Sequence, residues 1–289
     1  MSRPHHALDE SSKGNNLVPA TLDGWATQGC SELSARGLAS AAGLSASAIY
    51  YYFDDLEHLY EATQRAAIAM AERWMGERRV ALDAPVAVAG LPGAALAPLL
   101  ASLIDDWCEQ ARPLAFAWCE CQLLAARNPR FAVLRDAWNA LWRDFWTDIC
   151  GRFGAAWAAE ASFFFFDSES LLHMMRSNRA IDRAVLDESA QTWARWIGGQ
   201  LPLQAPWRRI ARDRARTAEA AVIPEGNLRV IAAGAARLLA VHGAGAVTHR
   251  LVAAETGLTL GVVSHKCKRT DDLLTLAYSE IYVQLTGGL

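Results

Sequence analysis

Little in this sequence speaks for a membrane, a metal or a covalent scaffold. The most apolar run, residues 91–104, contains Pro92, Gly93 and Pro98 and is shorter than the about 20 apolar residues needed to span a bilayer. The six cysteines, Cys30, Cys108, Cys119, Cys121, Cys150 and Cys267, are scattered without a paired CxxC spacing, so neither a zinc site nor a disulfide framework is expected. Cys119 and Cys121 stand two apart, on different faces of a helix, which disfavours joint ligation of a metal. A strong excess of positive or of negative charge is missing too. Lys and Arg number 28 against 31 Asp and Glu, a net charge of −3, so any attraction to a polyanion must come from local surface. Alternating strand patterns are scarce. No nucleophile elbow, phosphate loop, metal-ligand spacing or paired-carboxylate arrangement is found, so no catalytic residue, cofactor or enzyme activity is expected.

What is present fits a folded protein: 52% of the 289 residues are hydrophobic and 20% charged, which excludes a chain disordered throughout. Residues 1–16 are polar and read as a flexible tail, neither signal peptide nor anchor, so a cytoplasmic protein without membrane contact is expected. From there apolar residues recur at spacings of three and four, the signature of an all-α fold. Four segments follow: a small helical unit at 17–64, a large aromatic-rich helical block at 65–201, a joint at 202–224, and a second small helical unit at 225–289. The joint holds Pro202, Pro206 and Pro224 around the basic run Arg208, Arg209, Arg212, Arg214 and Arg216. It reads as a linker with one short basic helix.

In the first small unit Ser34 is placed to cap a short helix in which Leu38 and Ala39 face inward. Gly43 permits a tight turn with positive φ, and Ser45 is expected to cap a second helix from Ala46 to Phe53. This spacing is helix-turn-helix geometry. Ile49 and Phe53, four apart, would anchor the second helix and leave Ser47, Tyr50, Tyr51 and Tyr52 near its outer side, within reach of phosphates and base edges. The stretch LSARGLASAAGLSASAIYYYFDDLEHLY resembles the signature of the tetracycline-repressor (TetR) family. Similar proteins usually carry a Lys three residues after the Phe, where this chain has Leu56. Arg36 is nearly alone among Asp23, Glu32, Asp54, Asp55, Glu57 and Glu61, so phosphate attraction by this unit should be weak.

A shift of 214 positions, with no gap, lays Gly29 on Gly243, Arg36 on Arg250, Ala39 on Ala253, Gly43 on Gly257 and Leu59 on Leu273. Caps and core positions recur in order: Ser34 meets Thr248, Ser45 meets Thr259, and Ile49 meets Val263. An internal repeat is expected, with a second TetR-like helix-turn-helix near the C-terminus. This copy carries Ser264, His265 and Lys266 where the first has tyrosines, and Lys268 and Arg269 in place of Asp54 and Asp55. Its departures are Gly261 inside the second helix, which costs about 1 kcal/mol against Ala, Cys267 for the usual aromatic and Thr270 for the usual Lys. A degenerate copy kept for packing is the alternative.

The central block reads as core first, since Phe131, Leu134, Trp138, Leu141, Trp142, Phe145, Ile149 and Phe153 form one stripe. Tryptophan is nonetheless crowded there, and a buried indole N–H needs a partner, so an aromatic-lined ligand cavity stands beside plain core. Its candidates are Trp107, Trp118, Trp138 and Trp142, with Glu120, Asn139 and His173 as polar anchors. The text from Ser162 to Ile197 resembles the last two helices through which TetR-like proteins dimerise, which implies a four-helix bundle with a second chain. Phe164, Leu171, Met174, Met175, Trp193 and Ile197 are the candidates, with packing inside the chain as the alternative. The resemblance implies a repressor that binds a double-stranded DNA operator as a homodimer and is released by a small apolar or aromatic effector. Two heads per chain leave a single-chain pseudo-dimer open. A ligand-sensing or protein-interaction module that has lost DNA binding remains the competing reading.

Overall fold

The computed structural model describes residues 16–29, 33–89, 95–175, 179–200, 204–218 and 225–286. The tail before Asn16, Cys30, Pro202 and Pro224 lie outside the described residues. Among those residues all regular structure is helical, in fourteen α-helices with short 3-10 turns, an all-α fold. No described helix is long and apolar enough to cross a membrane.

The chain falls into two compact units, Met1–Ala211 and Arg212–Leu289. In the first, α1 (Leu17–Gln28), α2 (Ala35–Ala41) and α3 (Ser47–Tyr52) form a small cluster closed by the start of α4 (Leu56–Ala89). Helix α4 does not stop at the cluster. It runs 34 residues, and Leu59, Ala67, Ala71, Trp74 and Met75 on it are all buried, so one helix serves both the cluster and the block beyond. That block is α5 (Leu96–Glu109), α6 (Arg112–Arg127), α7 (Ala132–Arg152), α8 (Ala159–Met174) and α9 (Arg179–Ile197). On α7 the buried residues include Leu134, Trp138, Trp142, Phe145 and Ile149, the one face that spacing by three and four selects.

The block's core is built from indoles packed on one another. Trp107 meets Trp74 and Trp142 at 5.0 Å between centroids, and Trp142 meets Trp118 at 5.2 Å. Burying one such ring removes about 150–250 Å² from water, worth roughly 4–6 kcal/mol before entropy is subtracted. Two hydrogen bonds of one side chain tie three helices together across this core. Gln64 of α4 donates its Nε2 to the Ala117 carbonyl of α6 at 2.8 Å and accepts at Oε1 from Trp138 Nε1 of α7 at 3.0 Å.

Helix α10 (Pro206–Ala218) takes up the basic run of the joint. Its start is stitched to α9, where the Glu188 carboxylate accepts from the backbone N–H groups of Trp207 and Arg208, both at 2.9 Å. That places a negative charge at the helix N-terminus, where orphan amides and the macrodipole favour it. Arg208 also pairs with the buried Glu169 of α8.

The second unit contains α11 (Asn227–His242), α12 (His249–Thr256), α13 (Leu260–Lys266) and α14 (Thr270–Thr286). Ile231, Ala235, Leu239, Val252, Val263, Leu273 and Ala277 give it a core of its own. Gly234 on α11 leaves room for the end of α12: a Cβ there would lie 2.3 Å from Thr256 Cγ2.

Candidate functional site

The first helix pair forms as its residues dictate. Ser34 is extended, and its Oγ accepts from Gly37 N at 3.1 Å, satisfying one orphan amide of α2. Gly43 turns the chain at φ 71°. Ile49 and Phe53 are buried, which fixes α3 and leaves Tyr50 and Tyr51 64% and 73% exposed. Tyr52 is half-buried and lies edge-on to Tyr51 at 4.9 Å. Arg36, Ser45 and Ser47 are exposed.

One local expectation is corrected. Ser45 does not cap α3 with its side chain: Ala46 occupies the cap position, and the Ser45 hydroxyl is 3.0 Å from the Ser47 hydroxyl. The second helix pair explains the difference. There Thr259, at the matching position, does cap, accepting from Val262 N at 3.3 Å. The residue two further on is Gly261, which has no hydroxyl to compete for the cap.

Otherwise the second pair repeats the local geometry of the first at the 214-residue shift. Thr248 caps α12 by accepting from Leu251 N at 3.3 Å, and Gly257 turns at φ 70°. Val263 and Cys267 are buried as Ile49 and Phe53 are. Cys267 N donates to Val263 O at 2.8 Å, and Phe53 N to Ile49 O at 2.7 Å. Gly29 and Gly243 end α1 and α11 at φ 75° and 82°. His249 adds a contact that the sequence did not announce, its Nε2 lying 2.7 Å from the Cys267 carbonyl.

The charges around the two pairs differ. In the first, Asp55 and Glu61 lie 3.6 and 2.8 Å from Arg130, a residue in the turn between α6 and α7. Glu57 accepts from the Asn128 amide at 2.9 Å. Burial pushes the Glu61 carboxyl up, but its pairs with Arg65 and Arg130 outweigh that and hold it below the usual range. Sequence reasoning missed Arg130 altogether. In the second pair Arg250, Ser264, His265, Lys266 and Lys268 are all exposed. Lys266 and Lys268 are two of only three lysines in the chain. Arg269 is 3.2 Å from Asp271, whereas Arg250, Lys266 and Lys268 have no carboxylate partner among the described residues.

The central candidates divide. Trp107, Trp138 and Trp142 are fully buried among other rings. Glu120 lies toward α1, near Gly29, and His173 sits 3.2 Å from Asp105 in a separate polar cluster. Trp118 and Asn139 do meet, in a cleft of about 430 Å³ bounded by α6, α7 and α8. Phe164, Leu171 and Met174, expected at a dimer contact, line the same cleft. Two further hollows of about 380 and 250 Å³ are walled by charges already paired with each other, among them Arg179 with Glu109 and Arg183 with Asp105, both at 3.1 Å. Of the remaining dimer candidates, Trp193 is buried and donates Nε1 to Ser162 Oγ at 3.2 Å. Met175 is exposed and Ile197 half-buried, and the sequence reading overlooked the exposed Leu172.

Residues 17–63 match the family model described as bacterial regulatory proteins, tetR family. No curated protein matches the chain. Among solved structures, a candidate transcriptional regulator of Streptomyces coelicolor A3(2) is 20% identical, aligned over 62% of this chain and 98% of its own, with a TM-score of 0.39. That likeness is too loose to bear on fold or function.

Proposed function

We propose, from the premise that this chain is a DNA-binding regulator of the TetR family through residues 17–63, that it is a repressor whose grip on a DNA operator is released by a small effector bound in the central block. The observation that carries the reading is the course of α4. Its first turns close the helix-turn-helix, with Leu59 fully buried, and a few residues on Gln64 is bonded to both α6 and α7. A ligand that moves α6 or α7 therefore acts on the helix that holds α3. Effector coupling of this kind is a difference in affinity between two states of the head, commonly about 1–3 kcal/mol. The effector enters the cleft of α6, α7 and α8.

The protein works as a homodimer joined through α8 and α9, where Leu172 and Met175 stay exposed and take no part in the cleft. Each chain brings a second head, α12–α13, whose unpaired Arg250, Lys266 and Lys268 supply the phosphate contacts that the first head lacks. Along the sequence, the helical block 65–201 and the basic joint 202–224 separate the two reading units, in a protein that acts in the cytoplasm.

Binding of the full chain to duplex DNA, followed as salt is raised, tests this. Each phosphate contact contributes about −0.9 to the slope of log K against log salt, so replacing Lys266 and Lys268 together by Ala should flatten it by about 1.8. Changing Tyr50 and Tyr52 to Phe should leave the slope unchanged. The opposite ranking would place reading in the first head alone. Failure of the intact chain to bind DNA at low salt would favour the other reading, a sensing or interaction module, which the carboxylates Asp54, Asp55 and Glu57 beside α3 already support.

A further inference from the structure

We propose that the cleft between α6, α7 and α8 takes a lipophilic organic cation, with Asp167 as its counter-charge and Trp118, Phe163 and Phe164 as its aromatic walls. The inference rests on the reading of this cleft as the effector site and names the chemistry it selects.

The charge inventory comes first. Asp167 and Arg143 are the two formal charges lining the cleft. Arg143 is already engaged: its Nε donates to both Glu160 oxygens at 3.0 and 3.1 Å, and its guanidinium lies over the Phe163 ring at 5.5 Å. Asp167 is half-buried and has no hydrogen-bond or ion-pair partner among the described residues. The unanswered charge in the cleft is therefore negative. Burial pushes the Asp167 carboxyl up, the mark of a carboxylate that water reaches poorly and no cation relieves.

The walls suit the same ligand. Trp118 and Phe163 are near parallel, 6.2 Å between centroids, and Phe164 tilts against Phe163 at 5.3 Å. Aromatic faces attract organic ammonium groups through the ring quadrupole, most strongly where water is displaced. A metal ion is the poorer occupant, since one carboxylate does not make a coordination shell and no cluster of three His, Cys, Asp or Glu occurs among the described residues. An anion would meet Asp167 uncompensated. At about 430 Å³ the cleft falls within the size range of small-molecule sites.

The test uses the full-length protein and quenching of its tryptophan emission by three probes: the cations tetraphenylphosphonium and benzyltrimethylammonium, and neutral triphenylphosphine oxide. Saturable binding of at least one cation, weakened by about tenfold or more in Asp167→Asn while the neutral probe is unaffected by that change, is the expected result. Trp118→Leu should weaken cation binding as well, with circular dichroism confirming that each variant is folded. If the neutral probe binds as well as the cations, and equally to Asp167→Asn, the cation preference is overturned while the effector cleft stands. If no probe binds, both the preference and the cleft's role as effector site fall.

Discussion

Replacing Gln64 by Leu keeps the volume of the side chain close to the original and removes both of its hydrogen bonds. Gln64, Trp138 and Ala117 are all fully buried, so water cannot take over as partner for Trp138 Nε1 or for the Ala117 carbonyl. Leaving a buried donor or acceptor unpaired costs about 1–3 kcal/mol each, and two of them about 2–6 kcal/mol, less a small gain from burying Leu in place of an amide. A unit of some 200 residues loses roughly 2–4 °C of Tm per kcal/mol, which puts the expected drop at about 4–24 °C before that small gain is subtracted. Thermal unfolding followed by near-UV circular dichroism measures it. Gln64→Glu sharpens the test, because a protonated carboxyl can still donate to Ala117 and accept from Trp138. Burial raises the pKa of such a carboxyl, so the variant should resemble the parent below about pH 4 and lose stability as pH rises above that value. A Gln64→Leu protein that melts within about 2 °C of the parent would show that the amide is not what joins α4 to α6 and α7.

Asp167→Asn should raise the melting temperature at neutral pH. A carboxyl whose folded pKa is raised favours the folded state only while protonated, and that contribution is lost as pH rises through the shifted value. The gain should therefore close as pH falls below about 4, and a variant less stable than the parent at pH 7 would contradict the assignment of Asp167 as an unpaired charge. Burial pushes the thiols of Cys108 and Cys121 to about 12 and that of Cys119 to about 11. All three should resist alkylation at pH 8 in the folded protein and react once it is unfolded, which mass spectrometry of the labelled peptides can read. Gly257→Ala should destabilise the second unit by about 1–2 kcal/mol through backbone strain alone, since nothing lies within 4 Å of the added Cβ. Chemical denaturation of the full chain can follow it, and an unchanged midpoint would refute the turn's role.

Legibility from sequence followed the range of the interactions. Ser34, Thr248, Gly43 and Gly257 act on residues within a turn of themselves, so both helix pairs could be placed from spacing alone. Ser45 failed within that same range because Ser47 offered its hydroxyl a nearer partner. Arg130 and Gln64 could not be found this way. Arg130 meets Glu61 across 69 positions, and Gln64 meets Trp138 across 74, and neither residue type at either place carries a pattern. The crowding of tryptophan was visible, but which ring would border open space was not. That depends on how α6, α7 and α8 approach one another, and it selected Trp118 while leaving Trp107, Trp138 and Trp142 to fill the core. The same approach turned Phe164, Leu171 and Met174 toward Trp118, so that residues resembling a dimer seam line the cleft.

The packed indoles have an optical consequence. Trp138, Trp107, Trp74, Trp142 and Trp118 form an unbroken series, with neighbouring centroids 5.0 to 6.5 Å apart. Rings so close do not absorb and emit as separate chromophores: their transitions mix, and excitation passes from one to the next before it is radiated. Trp118 stands at one end of that series and is the member that borders the cleft. A molecule that quenches Trp118 would therefore also intercept part of the excitation absorbed by its four neighbours, so emission from the whole series becomes a readout of what sits in the cleft.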